Sequence, residues 1–453
     1  MTVIKQGLAN LKSKIKEEEN IGAILSNISW LFFDKVLRIG LGFVITAWTA
    51  RFLGTELFGL WNYAIAFTAL FSVFSTLGLD SIVVKELVKE EKRRNEILGA
   101  AFFLKLIGGG IALLLSVASI YMIRAGDELV HVLVAIIASG FIFQSFDVID
   151  YFYQSKLKSK LTVVARNCAF LISASIKIAL LLSEASLVNF VVASLIEVAF
   201  ASVFLLLLYS RKSGSVTAWT IRSGVVWKLT KESFPLLFAN MVILIYMRTD
   251  QIMLGNMIGD SEVGVFSAAV RLSEAWYFIP LIITNSLLPS IIAAKDSDSA
   301  GYVSKVQRSF DIMAILGTST AVTITVLAYL IIQLVFGSEY QRAAPILTIH
   351  TWTSVFVFIG FASGNWFVVE NLQKFVFYRT LAGAVINVGL NLLLIPHYGG
   401  TGAAVATLVS QFVASYFFNL FNSRTYPVFR MQSIALLKVT GVFFLYQYMK
   451  KAS

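Results

Sequence analysis

The recurrence of long apolar segments constrains the fold of this chain more than any other feature of its sequence. A helix needs about 20 consecutive apolar residues to cross a hydrocarbon core of roughly 30 Å, and about twelve such segments follow one another along the 453 residues. They lack the polar and apolar alternation of membrane β-strands, so we predict an all-α integral membrane protein. The predicted spans are 24–50, 59–82, 97–121, 132–153, 163–183, 187–209, 233–257, 264–290, 309–334, 345–369, 380–397 and 402–422.

The composition narrows the class of function. Hydrophobic residues make up 57% of the chain and charged residues 14%, whereas a soluble domain has about 25% charged residues. His131, His350 and His397 have no ligand-like spacing, and Cys168 is a lone cysteine that we expect in the core. No Walker loop or GxSxG motif occurs. We therefore predict neither an enzyme nor a bound metal or organic cofactor.

Lysine and arginine are distributed unevenly between the two sides of the predicted spans. Connections on the side of the N-terminus, together with the span ends next to them, contain 28 of the 37 Lys and Arg residues, whereas the opposite side has only Arg51, Arg124 and Arg342. By the positive-inside rule we predict that both termini are cytoplasmic. The net charge of +11 then reflects orientation and contact with anionic lipid, and we expect no nucleic-acid partner.

The longest connection between spans lies near the middle of the chain and suggests two halves. We predict a cytoplasmic amphipathic N-terminus at 1–22, a six-helix lobe at 23–210, a cytoplasmic linker at 211–232, a second six-helix lobe at 233–422, and a cytoplasmic or interfacial tail at 423–453. For the apolar stretch 431–450 we favour an interfacial position over a further crossing, because a crossing would move the positively charged C-terminus outside.

A repeated turn supports the division into halves. WTARFLGTELFGLWNYAIAF follows the first span and DQIMLGNMIGDSEVGVFSAAV follows the seventh, and aligning Gly59 with Gly264 pairs Trp61 with Phe266. Six spans in each half give both halves the same topology. We therefore predict two lobes related by a pseudo-twofold axis along the membrane normal, with a central cavity between them.

Four charges cluster around the second of these turns, in the stretch from Tyr246 to Pro280. Arg248 and Asp250 lie before the turn, and Arg271 and Glu274 lie after it on one helix face. A charged side chain within a membrane is costly, so it is expected either to be neutralised by a partner or to have a function. Cross-helix pairs of Arg248 with Glu274 and of Asp250 with Arg271 would make the cluster structural; a role in substrate binding or ion coupling is the alternative, and we favour it because buried pairs add little net stability.

Further charged residues lie within the first half of the chain. Asp34 and Arg38 share a helix face in the first span, either as a self-neutralised pair or with Arg38 lining a cavity. Lys177 and Glu197 are either a cross-helix pair or cavity-lining residues. We predict that Asp147 and Asp150, near the end of the fourth span, form a solvated rim. A carboxylate in a low-dielectric interior can exchange a proton during transport, and Glu197 and Glu274 are the candidates for that role.

Several segments resemble a known family. LFFDKVLRIGLGFVITAWTARFLGTELFGLWNYAIAF at 31–67, LGLDSIVVKEL at 77–87, and YMRTDQIMLG with VGVFSAAVRLSEAWYFIP within 246–280 resemble the polysaccharide-biosynthesis flippases of the Wzx type. GGTGAAVATLVSQF at 399–412 is similar to the family's penultimate loop and last helix. The family belongs to the superfamily that also includes multidrug and toxin extrusion transporters and lipid II flippases.

The resemblance implies a function and a set of partners. Such proteins are expected to move an undecaprenyl-pyrophosphate-linked oligosaccharide, of O-antigen or capsule type, to the outer leaflet of the bacterial inner membrane by alternating access. The implied coupling ion is H⁺ or Na⁺, and the implied partners are membrane lipids, a polysaccharide polymerase and chain-length machinery. Because both lobes are present in one chain, we expect a monomer.

A cationic cavity would suit this substrate, because arginine forms bidentate pairs with phosphate and hydrogen-bonds sugar hydroxyls. The candidate cavity residues are Arg38, Arg248, Arg271, Lys177, Asp34 and Asp250. A drug or metabolite exporter of the same superfamily is the alternative function. A glycan polymerase or ligase is disfavoured, because the outer connections span only about four to eleven residues and such enzymes generally need a large outer loop.

Overall fold

The computed structural model describes residues 2–297 and 299–441, and in this part of the chain every regular element is helical. Apart from short 3₁₀ turns, the elements are α1 (Thr2–Thr76), α2 (Asp80–Lys89), α3 (Arg94–Ile123), α4 (Glu128–Phe143), α5 (Val148–Ser155), α6 (Ser159–Leu182), α7 (Leu187–Lys212), α8 (Ser223–Met257), α9 (Asp260–Glu274), α10 (Phe278–Ser297), α11 (Ser299–Val335), α12 (Ala343–His350), α13 (Thr353–Val369), α14 (Gln373–Ser415) and α15 (Tyr426–Val439). Helices are expected because a backbone that crosses lipid must satisfy its own hydrogen bonds.

The number of membrane spans agrees with the predicted twelve. Ten segments of the described chain are long and apolar enough to cross a membrane, and two of them contain two helices each. α1 breaks at Gly54 (φ 72°, ψ 177°) and α14 at Gly399 (φ 53°, ψ −134°), where only glycine adopts the backbone without strain. Each predicted span lies on helical residues to within a few positions. The prediction of an all-α integral membrane fold is confirmed.

The eighth span is divided near Pro280. α9 ends at Glu274 and α10 begins at Phe278, with a turn between them in which Ile279 N donates to Trp276 O. A proline nitrogen cannot donate, and its ring clashes with the carbonyl four residues earlier, which here belongs to Trp276. The proline therefore explains why this span is bent.

Contacts divide the chain into two compact units. The first comprises the chain up to Thr46 together with Thr68–Asn240, and the second comprises Ala47–Phe67 together with the chain from Met241 onward. The first has a core of buried side chains from α2, α3, α5 and α7, including Leu98, Phe152 and Tyr209. In the second, α15 is packed into the core through Val428 and Ala435, beside Phe310 of α11 and Phe358 of α13.

The C-terminal helix is shorter than a membrane span. The 14 residues of α15 make a helix of about 21 Å, and Lys438 near its end forms an ion pair of 2.6 Å with Asp311 of α11. Residues 442–450 of the predicted interfacial segment lie outside the described residues. Cys168, which we expected in the core, is exposed on α6.

The repeated turns meet each other within the second unit. A Cβ atom placed on Gly59 would lie 1.7 Å from the Asp260 carbonyl oxygen, and one placed on Gly264 would lie 2.0 Å from the Thr55 carbonyl oxygen. Asp260 lies four residues before Gly264, and Thr55 lies four residues before Gly59. The two contacts are therefore equivalent, as expected for elements related by a twofold axis. This geometry agrees with the predicted alignment of Gly59 with Gly264, and it explains why both positions are glycine.

Candidate functional site in the second unit

A small polar cavity lies among α8, α9, α12 and α14 in the second unit. Its volume is about 50 Å³, enough for a few water molecules or a small ion. α8 contributes Arg248, Asp250 and Gln251, and α9 contributes Glu274, so three of the four charges predicted around the turn line one cavity. The remaining lining residues include Tyr246, Tyr277, His350, Thr407 and Gln411.

Asp250 is the most enclosed charge of this cavity. It is only 5% exposed, and its carboxylate accepts hydrogen bonds from Asn391 Nδ2 and Thr407 Oγ1, both on α14. The same Asn391 nitrogen also donates to Asn387 Oδ1 at 3.1 Å. All these donors are neutral, so the Asp250 carboxyl group is held by dipoles and not by an ion pair.

Polar atoms without hydrogen-bond partners are concentrated around Asp250. Of nine such buried side-chain atoms in the described residues, five belong to this neighbourhood: Tyr246 OH, Arg248 Nε, Gln251 Oε1, Asn387 Nδ2 and Asn391 Oδ1. A buried polar atom without a partner costs about 1–3 kcal/mol. Three of the five belong to residues that line the cavity, namely Tyr246, Arg248 and Gln251, which indicates a place built for water, an ion or a polar ligand.

The two cross-helix ion pairs weighed from the sequence are not formed. In the described part of the chain, Arg248 has no carboxylate oxygen within 4 Å of its guanidinium nitrogens. Likewise, Asp250 and Glu274 have no lysine, arginine or histidine nitrogen of the described residues within 4 Å of their carboxylate oxygens. Arg248 and Asp250 are two positions apart on α8 and point in different directions, and Asp250 is instead held by α14. The interpretation of the cluster as a self-neutralised network is therefore wrong for these two pairs.

The first unit contains one of the predicted charges in a defined pair. Arg38 Nη1 of α1 donates to Glu197 Oε1 of α7 at 3.2 Å, and the guanidinium carbon lies 5.2 Å from the centre of the Phe170 ring. The two side chains are 29% and 23% exposed. Glu197 is thus bound to Arg38, a pairing that the sequence did not suggest. Asp34 lies outside the residues whose side chains are described, and Lys177 is half-buried on α6.

The pair Asp147 and Asp150 does not form a solvated rim as predicted. Asp150 is 7% exposed, and Arg166 Nη2 of α6 lies 2.8 Å from Asp147 Oδ1 and 3.2 Å from Asp150 Oδ2. Lys105, which is fully buried in α3, donates to Tyr151 OH at 3.1 Å and lies 3.9 Å from Asp147. Packing of α3 and α6 against α5 brings two cations to two carboxylates, so this cluster is balanced in charge.

Several polar residues of the site were not predicted from the sequence. Asn387 and Asn391 are four apart on α14, and Thr407 is on the helix beyond the break at Gly399. Polar residues four apart in an otherwise apolar span share a helix face, and in a membrane they are expected to face the protein interior. That spacing could have identified Asn387 and Asn391. Among the described residues, no group of three or more metal-ligating side chains occurs.

Comparison with known families agrees with this architecture. The family model described as polysaccharide biosynthesis protein matches residues 24–295, more than half of the chain. A second family model, MatE, matches residues 235–393.

Individual proteins are similar over almost the whole length. The capsular polysaccharide biosynthesis protein CapF of Staphylococcus aureus is 22% identical over 87% of this chain and 98% of its own. A probable low-salt glycan biosynthesis flippase, Agl15 of Haloferax volcanii, is 22% identical over 84% of this chain and 79% of its own. Among solved structures, the lipid II flippase MurJ in an inward closed conformation has a TM-score of 0.69 at 14% identity, covering 93% of both chains. At that identity the likeness shows the fold.

Proposed function

The chain belongs to the polysaccharide biosynthesis protein family, and from this membership we propose that it is a flippase for lipid-linked glycans. Its substrate is an undecaprenyl-pyrophosphate-linked oligosaccharide repeat unit of O-antigen or capsule type, which it moves from the cytoplasmic to the outer leaflet by alternating access. The similarity to CapF and to a probable glycan flippase supports this proposal. Relatives of this kind support a transporter rather than an enzyme.

The observation that carries the proposal is the set of charges on α8 and α9. Arg248, Asp250 and Glu274 line one cavity inside membrane-spanning helices, and Arg248 Nε has no hydrogen-bond partner. Charges inside a membrane are costly and usually functional. Arg248 and Arg271 are therefore the proposed contacts for the pyrophosphate or sugar, with Arg38, Lys177, Asp34 and Asp250 as further substrate-binding residues.

Ion coupling is assigned in this proposal to the same cavity. Asp250 and the neighbouring amide groups of Asn391 and Gln251 supply oxygen atoms, the ligands that hard cations prefer, and the two amide oxygens are unpartnered. H⁺ or Na⁺ is the proposed coupling ion. Glu274 and Glu197 remain further candidates, with Glu197 released from Arg38 when protonated.

The proposed orientation places both termini in the cytoplasm of a bacterial cell, with the chain in the inner membrane. It rests on the 28 positive residues on one side of the spans. The flippase is proposed to act as a monomer among membrane lipids and to hand its product to a polysaccharide polymerase and chain-length machinery.

The test is complementation of polysaccharide export in a flippase-deleted host that makes the cognate glycan. Wild type should restore surface polysaccharide, whereas Arg248→Ala and Arg271→Ala at matched membrane levels should reduce export about tenfold or more and leave lipid-linked repeat units in the cytoplasmic leaflet. Arg424→Ala is the control, because Arg424 is exposed beyond α14 and does not line the cavity.

Two outcomes would contradict parts of the proposal. If the arginine variants fold and export normally, the arginines are structural and the site is wrong. If wild type does not restore export, the alternative of a multidrug or metabolite exporter gains support, since the MatE family model matches residues 235–393. Efflux of cationic dyes from cells expressing the wild type would then be measured.

A further inference from the structure

Arg379 is a buried arginine without an acidic partner. The sequence places it beside the connection after α13, but in the structure it is the seventh residue of α14 and only 8% exposed. Its Nη1 donates to Ser363 Oγ at 2.6 Å and its Nη2 to Gly360 O at 3.4 Å, both on α13. Its guanidinium lies 5.0 Å from the centre of the Phe367 ring. No carboxylate oxygen of the described residues lies within 4 Å of it.

This arrangement leaves a positive charge uncompensated at a cavity. Arg379 borders an open cavity of about 360 Å³ in the second unit. This cavity shares only one lining residue, Gln411, with the cavity at Asp250. The other polar lining groups are the side chains of Thr284, Asn285, Asn365 and Ser415. Small-molecule sites of about 300–1,000 Å³ are typical of proteins, and a buried charge is normally balanced by a counter-charge.

The missing counter-charge indicates the chemistry of the ligand. A guanidinium offers five N–H donors in a planar fork that matches the oxygens of a phosphoryl group. Ser363, Gly360 and Phe367 fix this fork by neutral contacts only, so its charge remains available. The amides and hydroxyls around it can hydrogen-bond further oxygen atoms. A neutral sugar would satisfy the amides but would leave the charge of Arg379 unbalanced.

We infer that the Arg379 cavity is a second oxyanion site, which holds a phosphoryl group of the lipid-linked substrate before it reaches Arg248 and Arg271. The inference rests on the proposed function, because that function supplies the phosphate. Arg379 lies about 9 Å along α14 from Gln373, on the side proposed to be cytoplasmic. A carrier lipid in the inner leaflet presents its phosphates near that depth, while its tail stays in the hydrocarbon.

Thiol protection tests the site in the full-length protein without removing Arg379. In a Cys168→Ser background, Gly364→Cys places a thiol in the cavity, because a side chain at Gly364 meets no atom within 4 Å. Gly389→Cys is the matched control, since it also meets open space but lies outside the cavity. The rate of thiol labelling in detergent is measured with undecaprenyl pyrophosphate, undecaprenol, phosphatidylglycerol or inorganic pyrophosphate.

The expected result separates these sources of phosphate. Undecaprenyl pyrophosphate should slow labelling of the Gly364→Cys variant about tenfold or more and leave the control unchanged, while undecaprenol, which has the tail alone, should have no effect. Equal protection by phosphatidylglycerol would overturn the inference in favour of a general anionic-lipid site. Protection by inorganic pyrophosphate but not by the carrier lipid would overturn it in favour of a soluble anion.

A second comparison links the protection to the guanidinium. Adding Arg379→Gln to the Gly364→Cys variant should abolish protection, Arg379→Lys should keep part of it, and Lys374→Gln should keep all of it. Lys374 is the control because it has the same charge on the same helix but is exposed. Labelling measures binding and complementation measures export, so absence of protection in a protein that restores export overturns this site and leaves the flippase function standing.

Discussion

At the level of single residues, Asp250 is a buried acidic side chain inside a predicted membrane span. Its carboxylate is held by Asn391 and Thr407 and meets no cation within 4 Å among the described residues. Neutral donors stabilise the charge but cannot cancel it. Together with the neighbouring unpartnered oxygens of Asn391 and Gln251, this carboxyl group is the position that we propose for a coupling ion.

Replacing Asp250 should therefore remove the effect of the ion on stability. For the purified wild type, Na⁺ or H⁺ at 100 times its dissociation constant should stabilise the folded state by about 2.7 kcal/mol. The thermal midpoint of Asp250→Asn should not respond to the same ion. Glu128→Gln, which removes an exposed carboxylate at the start of α4, should respond as the wild type does. A variant at Asp250 that keeps the full response would place the ion elsewhere, with Glu274 as the next candidate.

At the level of helices, the close approach of the two repeated turns is the defining contact of the second unit. Gly59 and Gly264 each face a backbone carbonyl of the other turn, an approach that small residues permit between helices in membranes. Hydroxyl groups add to it, since Thr55 Oγ1 lies 2.9 Å from Ser261 Oγ. Glu339 Oε1 also accepts from Thr55 N at 3.0 Å. The contact therefore depends on backbone proximity that a larger residue would prevent.

A cysteine pair can measure this contact. In the Cys168→Ser background, Thr55→Cys with Ser261→Cys should form a disulfide readily, because the replaced hydroxyls are within reach of each other. Adding Gly59→Ala or Gly264→Ala should lower the cross-linking yield severalfold, since the new Cβ would overlap a carbonyl oxygen. Gly389→Ala, whose Cβ meets open space, should leave the yield unchanged. If Gly59→Ala and Gly264→Ala leave the yield as unchanged as Gly389→Ala does, the contact between the turns does not require glycine at these positions.

At the level of the whole molecule, the distribution of positive charge predicts the orientation. Transfer of a Lys- or Arg-rich connection across the membrane is disfavoured, and 28 of the 37 such residues fall on one side of the spans. Two exposed positions can report on the two sides: Ala125, between α3 and α4, and Lys212, at the end of α7.

Single-cysteine variants at these positions test the orientation in intact cells. With Cys168 replaced by serine, a membrane-impermeant thiol reagent should label Ala125→Cys from outside. It should label Lys212→Cys only after the cells are permeabilised. The reverse pattern would invert the protein in the membrane, and with it the proposed direction of transport.

The sequence by itself determined the all-α membrane fold and the positions of the twelve spans. The physical reason is local: a lipid environment requires long apolar helices, and each run of apolar residues is visible without knowing its neighbours. The equivalence of Gly59 and Gly264 was also visible, because a repeat is a property of the sequence. The charges on α8 and α9 could be identified as candidates, since any charge within an apolar span stands out.

Only the tertiary structure decided which groups these charges meet. Asp250 is held by asparagine and threonine more than 130 positions away, Glu197 is paired with Arg38, and Arg379 is enclosed by α13. Such partners depend on how helices pack and rotate against one another, and helical periodicity specifies only which residues share a face. Helix packing therefore places Arg166 in a cluster with balanced charge, whereas Asp250 and Arg379 are held by neutral groups without an ion pair.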